Sequence, residues 1–169
     1  MARLFFAVWP AGAAAAALAR LAGDVAQVAE GRAVPSEKIH LTLAFLGETD
    51  AGRMEAAAVA ARGLRFAPFH IVLDRVGLFR AARVAWAGSR EIPRELAQLQ
   101  SALAARLAEA GFALEARPFA PHATLARGAR KPLPLAAIAP IEWRVDAFTL
   151  VRTERGAGRY TVMEEFPAR

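Results

Sequence analysis

Lys38-Ile39-His40-Leu41-Thr42-Leu43-Ala44-Phe45-Leu46-Gly47 and, eighty-odd positions later, Pro121-His122-Ala123-Thr124-Leu125-Ala126-Arg127 carry the same phrase, His-x-Thr-Leu. The chain has 3 histidines, and two of them open this pattern. Both stretches read as β-strands: short, apolar, and bounded by Gly47 on one side and by Pro118 and Pro121 on the other. Strand side chains alternate in direction, so a His and a Thr two apart share one face. Leu41 and Leu43, and Ala123 and Leu125, then point the other way, into a core. Each copy therefore offers an imidazole beside a hydroxyl. Two such surfaces facing each other supply two proton-transfer groups and two hydrogen-bond donors, which suits metal-free chemistry on a phosphate ester.

Working outward, Arg3 to Trp9 reads as a strand and Ala11 to Ala29 as a helix with Leu18, Leu21, Val25 and Val28 on one stripe. Gly31 to Pro35 reads as a loop. Gly47 is expected to stop the first motif strand, and Thr49 or Asp50 to cap a helix from Ala51 to about Arg62. Phe69 to Val76 and Arg83 to Ala87 read as strands joined through Gly77 to Ala82. A helix from Pro93 to Ala110 carries Leu96, Leu99, Leu103 and Leu107 on one face, with Gly111 as its stop. Lys131 to Pro140 holds three prolines and reads as a loop. Glu142 to Arg152 and Arg159 to Phe166 form a closing hairpin around Gly156 and Gly158. Strand–helix–strand–helix occurs once in each half of the chain, with one motif strand in each, as in an internal pseudo-repeat.

Composition narrows the class. The 169 residues make one ordinary domain, 1–169. Basic residues exceed acidic ones by 22 to 16, a net charge of +6, which favours a polyanionic ligand. Twenty of the 22 are arginine, a bias that genomic composition also produces, so the count alone assigns no nucleic-acid partner. Zero cysteines exclude disulfides, a thiol nucleophile and cysteine metal sites, and agree with a cytoplasmic setting. Met1 to Gly23 has the charge and apolar run of a secretory signal, but Pro10 and Gly12 interrupt it and Leu4 to Trp9 serves better as a central strand. No stretch is apolar enough for a transmembrane helix.

At these residues the chain resembles the two-histidine phosphoesterase superfamily, and more narrowly the RNA 2′,3′-cyclic phosphodiesterases, also called 2′-5′ RNA ligases. The likeness extends to Arg3-Leu4-Phe5-Phe6-Ala7-Val8, to the flanks of both motifs, and to Phe148-Thr149-Leu150 and Arg159-Tyr160-Thr161 near the end, all in order. The segment Val151 to Gly158, rich in Arg and Gly and without serine, is where the likeness assigns no role. The resemblance implies an α+β fold: two pseudo-symmetric lobes, each with an antiparallel sheet and outer helices, facing each other across an active-site cleft. It implies hydrolysis of RNA 2′,3′-cyclic phosphate ends to 2′-phosphates, with no cofactor and no metal, and a reverse reaction forming a 2′-5′ linkage. His122 is expected to act as proton acceptor toward water, His40 as proton donor to the leaving oxygen, and Thr42 and Thr124 as donors to the phosphoryl oxygens.

Arg127 matches an arginine of the family's extended second motif and would clamp phosphate. Strict alternation points it away from His122, so a bulge or strand end must redirect it. Parity sets Phe45 with Leu41 and Leu43 in the core, although an aromatic there could stack on a base. Arg80, Arg83 and Arg130 read as exposed arginines that could guide RNA, and Tyr160 as a residue that either contacts substrate or packs in the closing strand. His70 has Val72 where the motif has Thr and reads as structural. The expected partners are RNA with a cyclic phosphate end or a small cyclic nucleotide, without a membrane, acting on a monomer. Three other readings compete: a small cyclic nucleotide or ADP-ribose cyclic phosphate as substrate, a zinc hydrolase, for which no nearby carboxylate completes a ligand set, and an RNA-binding module without turnover.

Overall fold

The computed structural model describes residues 2–154, 156 and 158–169. Arg155 and Ala157, inside the expected closing turn, lie outside the described residues. Strands β1 (Ala2–Val8), β2 (Arg32–Ala33), β3 (Leu41–Thr49), β4 (Phe69–Phe79), β5 (Val84–Gly88), β6 (Ala123–Arg127), β7 (Ala136–Val145), β8 (Ala147–Thr153) and β9 (Tyr160–Pro167) alternate with helices α1 (Gly12–Ala29), α2 (Ala51–Arg62) and α3 (Arg94–Glu109). The class is α+β, as expected, and every strand pair is antiparallel.

The sheet order is β7-β4-β5-β6-β3-β1-β8-β9, with β2 pairing β6 off that path. The two expected sheets are one hydrogen-bonded array. They join at a seam where β3 meets β6 through a single residue pair, Leu41 with Ala123. Along that path each half-array has four strands, β2 adding a fifth beside β6, and the halves are not the two halves of the chain. One is built from the middle of the sequence, the other from its two ends. The helices cross over as well: α1, which follows β1, packs mainly against β6, and α3, which follows β5, packs against β3, β4 and α2.

Local chemistry explains the elements. Asp50 caps α2, its carboxylate accepting from the Arg53 N–H at 2.9 Å. The α3 stripe is buried as read, Leu96, Leu103 and Leu107 being fully enclosed and Leu99 nearly so. Each such leucine contributes about 1.5–3 kcal/mol of burial. Gly111 follows α3 with φ +83, the left-handed stop expected there. On α1 the buried stripe is Leu18, Ala22, Val25 and Ala29 rather than one ending at Val28, which is 59% exposed. Alanines complete the stripe because α1 lies close against the sheet.

Five boundaries depart from the sequence reading, the first being β4, which runs on through Gly77 to Phe79 instead of ending at Val76. Arg32 and Ala33 leave the expected loop to pair with β6. Gly47 does not end β3; it takes φ +72 beside a register shift, and the strand continues to Thr49. The proline-rich stretch is only half loop: β7 starts at Ala136 and becomes the edge partner of β4, where Pro140 is tolerated. The stretch Glu142 to Arg152 breaks at Asp146, its first part pairing with β4 and its second with β1 and β9.

Candidate active site

Both motif histidines stand one residue before their strands, on either side of the seam. Their local geometry is the same. The His40 Nδ1 lies 2.7 Å from the Lys38 carbonyl and the His122 Nδ1 lies 2.9 Å from the Ala120 carbonyl, each two residues back. A carbonyl only accepts, so each Nδ1 carries the hydrogen and each Nε2 is the nitrogen left to work.

The two strands then repeat one another in detail. Burial over Leu41 to Phe45 reads buried, half-buried, buried, buried, exposed, and over Ala123 to Arg127 it reads the same. Each strand has a one-residue register shift at the motif leucine. Ala7 pairs Thr42 while Phe6 pairs Ala44, leaving Leu43 extra. Trp86 pairs Thr124 while Ala85 pairs Ala126, leaving Leu125 extra. Two consecutive residues therefore face the core, and the residue five after each histidine returns to the histidine's face.

This bulge brings Arg127 to the site. It also overturns the parity reading of Phe45, which is 54% exposed and lines the same hollow instead of packing in the core. The hollow encloses about 760 Å³ and is bordered by His40, Thr42, Phe45, Thr124 and Arg127, together with Phe5, Arg3, Arg32, Lys38 and Tyr160. His122 does not line it, but its charge acts on His40.

The surroundings of the two rings differ. His40 is boxed by aromatics: Phe5 stacks on it with centroids 4.9 Å apart, Trp9 lies at 4.9 Å, and Tyr160 meets it edge-on at 5.6 Å. Phe5 and Ala7 floor the site with Val151, while Leu4, Phe6 and Val8 on the same strand enter the main core. The Trp9 indole N–H donates to Thr149 at 2.8 Å, which fixes the box. His122 meets one aromatic, Phe79, edge-on at 4.9 Å. Burial lowers the pKa of His40; the bond to the Lys38 carbonyl opposes this, and the charges of Arg127 and His122 lower it further. The ring is thus neutral at pH 7, and the Thr42 hydroxyl donates to its Nε2 across 3.1 Å. Among the described residues no such bond joins Thr124 to His122.

The sequence leaves Tyr160 between substrate contact and packing, and does not single out Phe5 or Trp9. The signal for Phe5 and Trp9 is the alternation Phe5, Ala7, Trp9 along β1 and just past its end, which puts two aromatics on the face opposite Leu4, Phe6 and Val8. Other candidates lie elsewhere. His70 is on β4 with its Nε2 3.7 Å from a Glu142 carboxylate oxygen, a surface contact. Arg83 donates to the Ala129 and Gly128 carbonyls, and Arg130 lies 4.0 Å from Glu30. Among the described residues no three His, Cys, Asp or Glu side chains gather in a metal-holding group.

A family model described as the 2′-5′ RNA ligase superfamily matches residues 9–157. This chain belongs to that superfamily. It is 38% identical over 142 residues to the RNA 2′,3′-cyclic phosphodiesterase of Escherichia coli (strain K12), covering 80% of this chain and 79% of that one. To the RNA 2′,3′-cyclic phosphodiesterase of Thermus thermophilus it is 32% identical over 182 residues, covering 99% and 90%. The crystal structure of E. coli LigT complexed with 3′-AMP superposes with a TM-score of 0.88 at 33% identity, over 99% of this chain and 98% of that one. The chain is therefore a phosphodiesterase of this superfamily.

Proposed function

We propose that this protein opens 2′,3′-cyclic phosphates at RNA ends without a metal, leaving a 2′-phosphate. The observation that carries this is the matched pair of Nδ1-anchored histidines flanking a cationic cleft. His122 Nε2 takes a proton from water as its oxygen attacks phosphorus. The P–O3′ bond breaks in line, and His40 Nε2 gives its proton to the departing 3′ oxygen. Each well-placed transfer is typically worth about 10²–10⁴ in rate. A phosphate anion bound beside His40 favours the charged ring, so Nε2 takes a proton from solvent as substrate binds, and the low proton affinity of the ring then makes it a ready donor. Thr42 and Thr124 donate to the non-bridging oxygens, and Arg127 neutralises the phosphoryl charge. Phe45, exposed on the rim, offers its face to the terminal base. Run backward with a 5′-hydroxyl as nucleophile, the same groups form a 2′-5′ linkage.

The charge balance of the cleft favours a nucleic-acid end. Four cations line it, Arg3, Arg32, Lys38 and Arg127, against one acid, Glu154, which is 3.2 Å from Arg152. Among the described residues no helix is long and apolar enough to cross a membrane. A cytoplasmic monomer, folded as a single domain over 1–169 with two lobes about the seam, accords with this reading.

The test follows purified protein on 2′,3′-cyclic AMP and on a short RNA ending in a cyclic phosphate, in excess EDTA, beside His40→Ala and His122→Ala. A 2′-phosphate product that either substitution abolishes is expected. Loss of wild-type turnover in EDTA, or no turnover of either substrate by folded protein, would overturn it.

A further inference from the structure

We infer that Arg32 forms a second anion subsite beside Arg127, one that takes the internal phosphodiester next to the RNA end and so selects chains over mononucleotides. The inference rests on the cyclic-phosphate reading above and adds a substrate class to it. It starts from β2. This strand is two residues long, yet it pairs in register with the end of β6, Arg32 directly opposite Arg127 and Ala33 opposite Ala126. Residues directly opposite in an antiparallel pair point to the same face with Cβ atoms roughly 5 Å apart. The two arginine side chains thus leave one face side by side, both exposed and both bordering the cleft.

Like charges placed directly opposite are destabilising unless something lies between them. Neither Arg32 nor Arg127 has a carboxylate or hydrogen-bond partner among the described residues. Their neighbours do. Arg83 gives its Nε to the Ala129 carbonyl at 3.1 Å and its Nη2 to the Gly128 carbonyl at 3.3 Å, and Lys131 pairs with Glu30 at 2.7 Å. Both arginines face the cleft, as do Arg3 and Lys38 from other elements, but only Arg32 and Arg127 stand directly opposite each other. Arg32 is also held there by backbone, not by chance of rotamer. A Cβ on Gly31 would come within 3.0 Å of the Arg127 carbonyl oxygen, so glycine lets the chain run close against β6. The Val34 N–H then donates to the Leu125 carbonyl at 2.8 Å, on the far side of the pair.

One phosphate does not need both arginines. Arg127 ends the second motif strand and lines the hollow with His40, Thr42 and Thr124, which fits it to the reacting phosphate. Arg32 stands opposite Arg127 on a different strand, β2, and reaches the cleft from there. A mononucleotide cyclic phosphate fills the first position only. An RNA end brings a second phosphodiester one nucleotide away, and adjacent phosphates are what adjacent guanidiniums fit.

The experiment compares kcat/KM on 2′,3′-cyclic AMP with that on a diadenosine ending in a 2′,3′-cyclic phosphate, across a salt series, for wild type, Arg32→Gln and Arg32→Lys. The dinucleotide-to-mononucleotide ratio is expected to fall about tenfold or more in Arg32→Gln, through KM, with Arg32→Lys intermediate. The salt slope of the dinucleotide should exceed that of the mononucleotide in wild type, and that excess should drop by about one phosphate contact in Arg32→Gln. Equal losses on both substrates, an unchanged ratio, or identical wild-type salt slopes would overturn the inference while leaving the phosphodiesterase reading intact. The wild-type slopes decide the matter even if a variant fails to fold. Absence of wild-type turnover on both substrates would instead remove the reading beneath it.

Discussion

Phe45 and Arg127 are counterparts: each stands five residues past a motif histidine, and each is swung onto the histidine's face by one extra leucine in its strand. The repeated hexapeptide thus delivers an imidazole, a hydroxyl and a third group from each side of the seam. The third group differs, an aromatic ring on one side and a guanidinium on the other. That difference makes the hollow asymmetric.

Phe45→Leu keeps the residue apolar and removes the ring. Because the side chain is more than half exposed, stability should change little. Base stacking on an aromatic is worth about 1–3 kcal/mol, so KM for a nucleotide substrate should rise about fivefold to a hundredfold while kcat holds. Phe45→Trp should restore KM. Steady-state kinetics on 2′,3′-cyclic AMP checks both, and an unchanged KM in Phe45→Leu would remove the stacking role.

Arg127 acts on charge in two places. Arg127→Gln should lower kcat/KM by about 10²–10³, the range seen when one preorganised donor to a transition-state oxyanion is lost. Arg127→Lys should recover only part, since an ammonium lacks the bidentate fork. The same Arg127→Gln change removes one of the influences that lower the pKa of His40, so NMR titration of that ring should show its midpoint rise.

Titration of His40 also has a stability consequence. Its folded-state pKa lies below the unfolded value of about 6.5, so between those two points the unfolded chain holds more protons. The resulting contribution is complete above about pH 6.5 and is lost as pH falls through that window. In His40→Gln this acid-side loss should shrink, measured by denaturant unfolding at several pH values. A profile identical to wild type would show that the enclosure by Phe5 and Trp9 does not disfavour the charged ring.

The sequence shows the parts of this site better than their assembly. The two motifs, the three helices and the Leu96–Leu107 stripe follow from periodicity and punctuation, which are local. The bulges do not. An extra residue in a strand is defined by the partner strand, and Leu43 and Leu125 look like ordinary core positions until Phe6, Ala7, Ala85 and Trp86 are seen opposite them. For the same reason Phe45 read as core. Strand order was equally hidden: β8 reaches β1 across most of the chain, a pairing that no local pattern encodes. The strand character of Ala136–Val145 was masked by prolines that an edge position accommodates.

Core packing beneath the site gives a further expectation. Leu103 is fully enclosed on α3, the helix that packs against β3. Leu103→Ala should cost about 2–5 kcal/mol. Asp50→Ala, which removes the α2 cap on Arg53, should cost about 1 kcal/mol. At this chain length about 1 kcal/mol moves the melting temperature about 2–4 °C, so calorimetry separates the two easily. A Leu103→Ala effect no larger than the cap's would mean that the α3 stripe collapses around the gap.

The threonines are identical in sequence and different in contact, and this separates their expected phenotypes. Thr42 donates to His40 Nε2 across 3.1 Å, whereas Thr124 has no bond to His122 among the described residues. Thr124 is left to serve the phosphate alone. Thr124→Val should therefore lower kcat/KM by the loss of one donor and leave the pH profile in place. Thr42→Val takes away a donor to phosphate and also the partner of the neutral His40 ring. The hydroxyl donates to the neutral ring and accepts from the charged one, so its loss affects the proton transfer itself. Thr42→Val should lower kcat more than Thr124→Val and displace the pH dependence of kcat/KM, while Thr42→Ser should restore both. Matching losses with superimposable pH profiles in the two valine variants would show that the Thr42–His40 bond is broken once substrate enters and contributes nothing to the chemistry.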